Sequence, residues 1–200
     1  MSELLALDIA ILPPREVSER AVRLSAELPG EQFKGLRLDA DHLPHITLTQ
    51  QFVAVAMLDE VLSTVAQALR DVRPMSVHVR GGERGGSSVW MSIARTPPIV
   101  ELHERLMDAL HRYEQAGGGR TAFADADARA EDIAWVTGYR AQSSGRAYRP
   151  HITVGHASHP PHIEPFAFEA TTVAACSLGR LCTCRLVLRR WEVTLPALSS

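Results

Sequence analysis

Two hydrophobic rhythms alternate along the chain. Residues 4–12 form a nearly unbroken apolar run that stops at Pro13-Pro14, the pattern of a strand buried on both faces. Val17, Ala21, Leu24 and Leu28 then recur at helical spacing until Pro29-Gly30, which predicts a helix over 14–28. A short strand at 36–38, a turn at 39–41 and apolar-polar alternation over 45–53 predict two further strands, and 58–69 return to helical spacing. Residues 77–79 and 88–93 flank the glycine-rich stretch 81–86, which reads as a hairpin with a long flexible tip.

The same order then begins again. Leu102, Leu106, Ala109 and Leu110 mark the inner face of a helix over 99–113, closed by Gly117-Gly118-Gly119. From there to Tyr148 acidic and basic residues alternate with alanines; only 133–139 looks strand-like, and the stretch reads as a loop or lid. Strands are expected at 151–154, 166–173 and 186–195. Together the elements predict an α+β protein of two pseudo-symmetric lobes, each an antiparallel sheet with one or two helices, around a central cleft. The lobes meet near residue 97, as 1–97 and 98–200 of one bilobal domain, with exchange of elements between them left open.

Chemistry enters through an internal echo. Pro44-His45-Ile46-Thr47-Leu48-Thr49 returns half a chain later as Pro150-His151-Ile152-Thr153-Val154-Gly155. In a strand, positions i and i+2 share a face, so His45 projects with Thr47 and His151 with Thr153, while Ile46, Leu48, Ile152 and Val154 point inward. Two such pairs facing one cleft supply what a phosphodiester displacement needs without a metal. With an unperturbed pKa of about 6.5, one imidazole accepts a proton from water while the other gives one to the leaving alkoxide. The two threonine hydroxyls donate to non-bridging oxygens.

These motifs resemble those of the two-histidine phosphoesterase superfamily, which includes RNA cyclic phosphodiesterases historically called 2′-5′ RNA ligases. The likeness extends to Leu36-Arg37-Leu38 before the first motif, Gln51-Phe52-Val53 after it, and Tyr148-Arg149-Pro150 leading into the second. It implies hydrolysis of 2′,3′-cyclic phosphate ends of RNA, cyclic nucleotides or 2′-5′ linkages, with His45 and His151 as the acid/base pair, Thr47 and Thr153 on the phosphate, and no cofactor or metal. A binding module that holds RNA ends or nucleotides without turnover and an enzyme that joins RNA ends are the alternatives. The chain departs from the family pattern at Thr49-Gln50-Gln51 and in the length of 117–147.

Among neighbouring residues, Arg149 is a candidate phosphate partner, Tyr148 and Trp135 are candidate base contacts, and Arg37 is a further candidate. His156, His159 and His162, every third residue in a proline-rich stretch, have a spacing that invites a metal but read as an exposed loop. Cys182 and Cys184 are expected on one face of a strand as reduced, packed thiols.

Composition narrows the partners. A formal charge of -2 supplies no footprint for long duplex nucleic acid or an anionic membrane, so an RNA end or small nucleotide is the expected partner, bound by a monomer. No secretory pattern opens the chain and no apolar run approaches the roughly 18 to 20 residues of a membrane span, so a cytoplasmic location is the expectation.

Overall fold

A computed structural model describes residues 3–29 and 35–194. Eight strands and four α-helices follow one another as β1 (Leu4–Leu12), α1 (Arg15–Glu27), β2 (Ile46–Ala54), α2 (Leu58–Ala68), β3 (Met75–Gly85), β4 (Ser88–Ile93), α3 (Pro97–Leu110), α4 (Ala130–Ser143), β5 (His151–His156), β6 (Phe166–Ala170), β7 (Thr172–Leu178) and β8 (Cys184–Glu192). The strands form two four-stranded antiparallel sheets, in the orders β2-β1-β7-β8 and β5-β4-β3-β6. Each sheet takes two strands from before residue 97 and two from beyond it, and each places a motif strand, β2 or β5, at an edge.

The helices tie the sheets together. Helix α1, which follows β1 of the first sheet, packs on β5 of the second, while α3 and α4 pack on β2. One core runs through both lobes, from Leu7, Ile9 and Ile46 to Val89, Met91 and Ile152, all fully buried or nearly so. Burying such side chains is worth about 1.5 to 3 kcal/mol each, which fixes the edge strands against their neighbours. Among the described residues no helix is long and apolar enough to cross a membrane.

Five local expectations are corrected. Residues 133–139 are not extended but lie in α4, whose buried positions Asp132, Val136 and Tyr139 make a narrow helical stripe. The Asp132 carboxylate accepts the Arg129 backbone N–H at 2.9 Å, a helix-start signal hidden among the alanines. The glycine-rich stretch is not a flexible tip; β3 continues to Gly85 and reverses at Gly86 with φ 59°. Glycine is required within the strand because a Cβ on Gly82 would collide with the Pro161 carbonyl and one on Gly85 with the Trp90 ring.

Among the described residues the segment 36–38 makes a single bridge, Arg37 to Gly155, rather than a strand. Residues 166–173 divide at Thr171 between β6 and β7, which belong to different sheets. Cys182 sits in a turn with φ 52° while Cys184 opens β8, so the two do not share a strand face; Cys184 instead packs with Cys176. All three cysteines are free thiols. Of the expected final strand at 186–195, Leu195 lies outside the described residues.

Candidate active site

Strand alternation places both motifs as the pattern requires. Ile46 and Leu48 are buried with His45 and Thr47 half-buried between them, and Ile152, Val154, His151 and Thr153 repeat the arrangement. A β-bulge follows the threonine in each lobe: Thr47 pairs with Ala10 and Thr49 with Ile9, and Thr153 pairs with Trp90 and Gly155 with Val89. Bulges bend a strand and re-aim its side chains, and here they do so at equivalent places. Each histidine is then pinned in the same way. Nδ1–H of His45 donates to Leu43 O and Nδ1–H of His151 to Arg149 O, both at 2.7 Å, which fixes the tautomer and leaves Nε2 of each ring as the nitrogen not engaged by the backbone.

Both rings and both threonines line one cleft of about 650 Å³, walled by Trp90, Trp135 and Arg149. Desolvation lowers the His151 pKa below its ordinary value; the bond to Arg149 O works against this, and the charge of His45 reinforces it. The His151 ring lies 5.3 Å from that of Trp90, centroid to centroid.

The two halves differ at one equivalent pair. Three residues beyond each motif threonine stand Gln50 and His156, opposite Asp8 and Ser88 on the neighbouring strands. In the second lobe His156 and Ser88 approach at 3.4 Å. In the first, a fully buried Asp8 carboxylate accepts Thr47 Oγ1–H at 2.9 Å and Gln50 Nε2–H at 2.8 Å, and its Oδ2 lies 3.8 Å from His45 Nε2. Burial raises the Asp8 pKa, while the charge of His45 and the two donated bonds pull it back down.

Of the flanking candidates, Trp135 and Arg149 reach the cleft, Trp135 from α4 rather than from a strand. Trp135 is 41% exposed and its Nε1–H donates to Gln50 Oε1 at 2.9 Å. Tyr148 also borders the cleft but is buried, stacked on His103 at 3.8 Å, and its phenol donates to Thr47 O. Arg37 directs its guanidinium to the carbonyls of Leu36, Leu28 and Pro29, bracing the backbone beside the cleft.

Asp8, Gln50 and His103 escape a reading of motifs. Asp8 looks like an interruption of an apolar strand, Gln50 like a departure from pattern, and His103 like an ordinary helix residue. The one available signal was a carboxylate in a strand otherwise buried on both faces.

Two groups of donors bear on metal binding. Asp8, His45 and Cys184 bring one donor atom each within 4.8 Å of one another. That is one short of a closed tetrahedral zinc site, and burial pushes the Cys184 thiol well up, keeping it protonated. His156, His159 and His162 do not converge: His156 Nδ1 accepts Leu36 N–H at 3.0 Å, His159 meets Ser158, and His162 meets Glu164.

Paired histidines and threonines on the edge strands of two lobes define a two-histidine phosphoesterase architecture. The chain belongs to the 2′-5′ RNA ligase superfamily, whose sequence model matches residues 13–190. Its fold is similar to that of E. coli LigT, solved in complex with 3′-AMP, at a TM-score of 0.63 and 20% identity over 96% of this chain and 100% of that one. TT0787 of Thermus thermophilus aligns at a TM-score of 0.60 and 17% identity, over 94% of this chain and 98% of that one. The MHV ns2 PDE domain aligns at a TM-score of 0.51 and 14% identity, covering 88% of this chain and 99% of that domain. No curated protein matches the sequence.

Proposed function

We propose that this protein hydrolyses 2′,3′-cyclic phosphates at RNA ends or in small cyclic nucleotides, using His45 and His151 as its acid/base pair. The observation that carries this reading is the identical pinning of the two imidazoles through Nδ1, with both histidines and both threonines lining one cleft. Related chains add support, since E. coli LigT has been solved with 3′-AMP, NADP+ and ATP.

In this mechanism His151 takes a proton from water as the oxygen attacks phosphorus. His45 gives its proton to the departing ribose oxygen, so the cyclic diester opens to a monoester. Thr153 holds a non-bridging oxygen, joined by Thr47 when its hydroxyl turns from Asp8, and Arg149 balances the anion. The exposed face of Trp135 receives the base. The same pair runs the reverse reaction, but in dilute water hydrolysis is favoured over end-joining.

Purified protein incubated with chelator and a panel of 2′,3′-cyclic nucleotides and RNA ends should release monoester product. His45→Ala and His151→Ala should each lower the rate by more than about a hundredfold, the low end for an acid/base group. Turnover that survives both changes, or tight nucleotide binding with no product over long incubation, overturns the assignment.

A further inference from the structure

We propose that Asp8, His45 and Cys184 form an inhibitory site for a thiophilic divalent cation of zinc type, which binds beside the first motif and takes His45 out of catalysis. The binding stands on the donor set itself; the inhibition rests on the function proposed above.

The three donors come from separate places in one sheet. Asp8 lies within β1, His45 leads into β2 and Cys184 opens β8, which the Leu43–Cys184 bridge holds beside the first motif. Each offers one donor atom, and the three lie within 4.8 Å of one another. His45 Nε2 and Asp8 Oδ2 are 3.8 Å apart, too far for a hydrogen bond. Zinc bonds of about 2.0 Å to nitrogen and oxygen and about 2.3 Å to sulfur set tetrahedral donors roughly 3.3 to 3.5 Å apart. The nitrogen and oxygen therefore need to close by only about half an ångström.

The supporting bonds of a metal site are already in place. A metal-bound imidazole usually donates its other ring N–H to a carbonyl or carboxylate, and His45 Nδ1–H donates to Leu43 O. A ligating carboxylate is in turn held by donors, and Asp8 Oδ2 accepts from Thr47 and Gln50. Oδ1 of the same fully buried carboxylate has no hydrogen-bond partner among the described residues. Entry is from the cleft that His45 lines, and that side also leaves a fourth position for water or a phosphate oxygen.

Charge and donor type choose the ion. Imidazole and sulfur favour zinc over magnesium or calcium, which take oxygen ligands. Cys184 is protonated without metal and gives that proton to solvent as the sulfur–metal bond forms. Two anionic ligands then balance the divalent ion, so the buried centre carries no net charge. The second lobe offers nothing comparable: Ser88 stands where the first carries Asp8, and among the described residues no other trio of such donors converges. With Nε2 bonded to metal, His45 has no nitrogen left to carry a proton to the leaving oxygen.

The full chain, stripped with chelator, is titrated with cobalt(II), whose spectrum reports its ligands, and with zinc against a chromogenic chelator. One equivalent should bind, with the intense visible bands of tetrahedral cobalt and a sulfur-to-cobalt charge-transfer band. Cys184→Ala should lose that band and weaken zinc by at least about a hundredfold, the most that an outer partner is worth. Cys176→Ala removes an equally buried thiol packed on Cys184 and should keep the band, circular dichroism confirming that both variants fold.

On a 2′,3′-cyclic nucleotide, saturating zinc should lower kcat by at least about a hundredfold, as His45→Ala does, and chelator should restore it. Magnesium should not inhibit, and Cys184→Ala should keep its rate in chelator yet resist zinc. A cobalt spectrum without the sulfur band, as exposed His159 or His162 would give, or a band that survives Cys184→Ala, overturns the site. Zinc bound through Cys184 with turnover unchanged or raised overturns the inhibition. If the unaltered protein opens no diester, the function proposed above falls while the cobalt spectrum still decides the site.

Discussion

The phenol of Tyr148, two residues before the second motif's proline, donates to the backbone carbonyl of Thr47 in the first motif at 3.0 Å. One residue on, His103 Nδ1–H from α3 donates to Leu48 O at 2.6 Å, and its ring stacks flat on Tyr148. The bulge that aims His45 and Thr47 is thus clamped at two successive carbonyls, one clamp coming from the strand lead of the other motif. Tyr148→Phe keeps the stack but strands a buried carbonyl. It should cost about 1 to 3 kcal/mol in urea unfolding and lower kcat more than it raises KM. Unchanged stability and kcat would show that the clamp contributes nothing.

His103 predicts how stability depends on pH. Burial holds its pKa below the ordinary value, and His151 and His156 are lowered by desolvation too. Below an unfolded pKa of about 6.5 the unfolded chain takes up protons that these folded imidazoles refuse, so stability is complete above that pH and declines as pH falls toward the folded values. The raised pKa of Asp8 acts oppositely, but only above its unfolded value and up to its folded one, so the decline should be clearest just below pH 6.5. Thermal unfolding between pH 7.5 and 5.5 (about one unit on either side of the imidazole pKa) should show Tm falling with pH, with a shallower slope in His103→Asn. A Tm that rises on acidification would contradict the burial of these rings.

Catalysis carries its own pH signature. If His151 is the base, kcat/KM should rise with pH along a limb centred below about 6.5, since desolvation depresses that imidazole. Initial rates on a cyclic nucleotide from pH 4.5 to 9, bracketing an imidazole by at least about two units, will locate the limb. A limb centred above the ordinary imidazole value would require another group as base.

What could be read from the chain follows from physical range. The duplicated His-x-Thr pattern was legible because strand alternation alone decides that His45 and Thr47 share a face, and the same rule applies to His151 and Thr153. The two-lobed α+β architecture followed from the repeated order of elements. Helix α4 was missed because its buried stripe includes Asp132, so hydrophobic periodicity is faint there. The strand character of 81–85 was missed because its glycines serve close approach of Pro161 and Trp90, contacts that sequence does not display. Asp8 and His103 meet the first motif only through tertiary pairing, across β1 and β2 and across α3 and β2, and no local rule anticipates such partners.

Trp135 has a proposed role and an observed contact that substitution can separate. It lines the cleft, 41% exposed, as the residue proposed to receive the base, while its Nε1–H holds the Gln50 carboxamide that in turn donates to Asp8. Base–aromatic stacking is worth about 1 to 3 kcal/mol, so Trp135→Ala should raise KM for a cyclic nucleotide roughly 5- to 150-fold. Trp135→Phe retains an aromatic face and should leave KM within about threefold, yet it deletes the indole donor. Gln50, which also reaches Thr47 Oγ1 at 3.4 Å, is then free to turn, and kcat should drop several-fold as the order around the first motif is lost. Steady-state kinetics of both variants resolves the two roles: if Trp135→Ala leaves KM unchanged, the base lies elsewhere in the cleft, and if Trp135→Phe leaves kcat unchanged, the indole bond does not order the first motif.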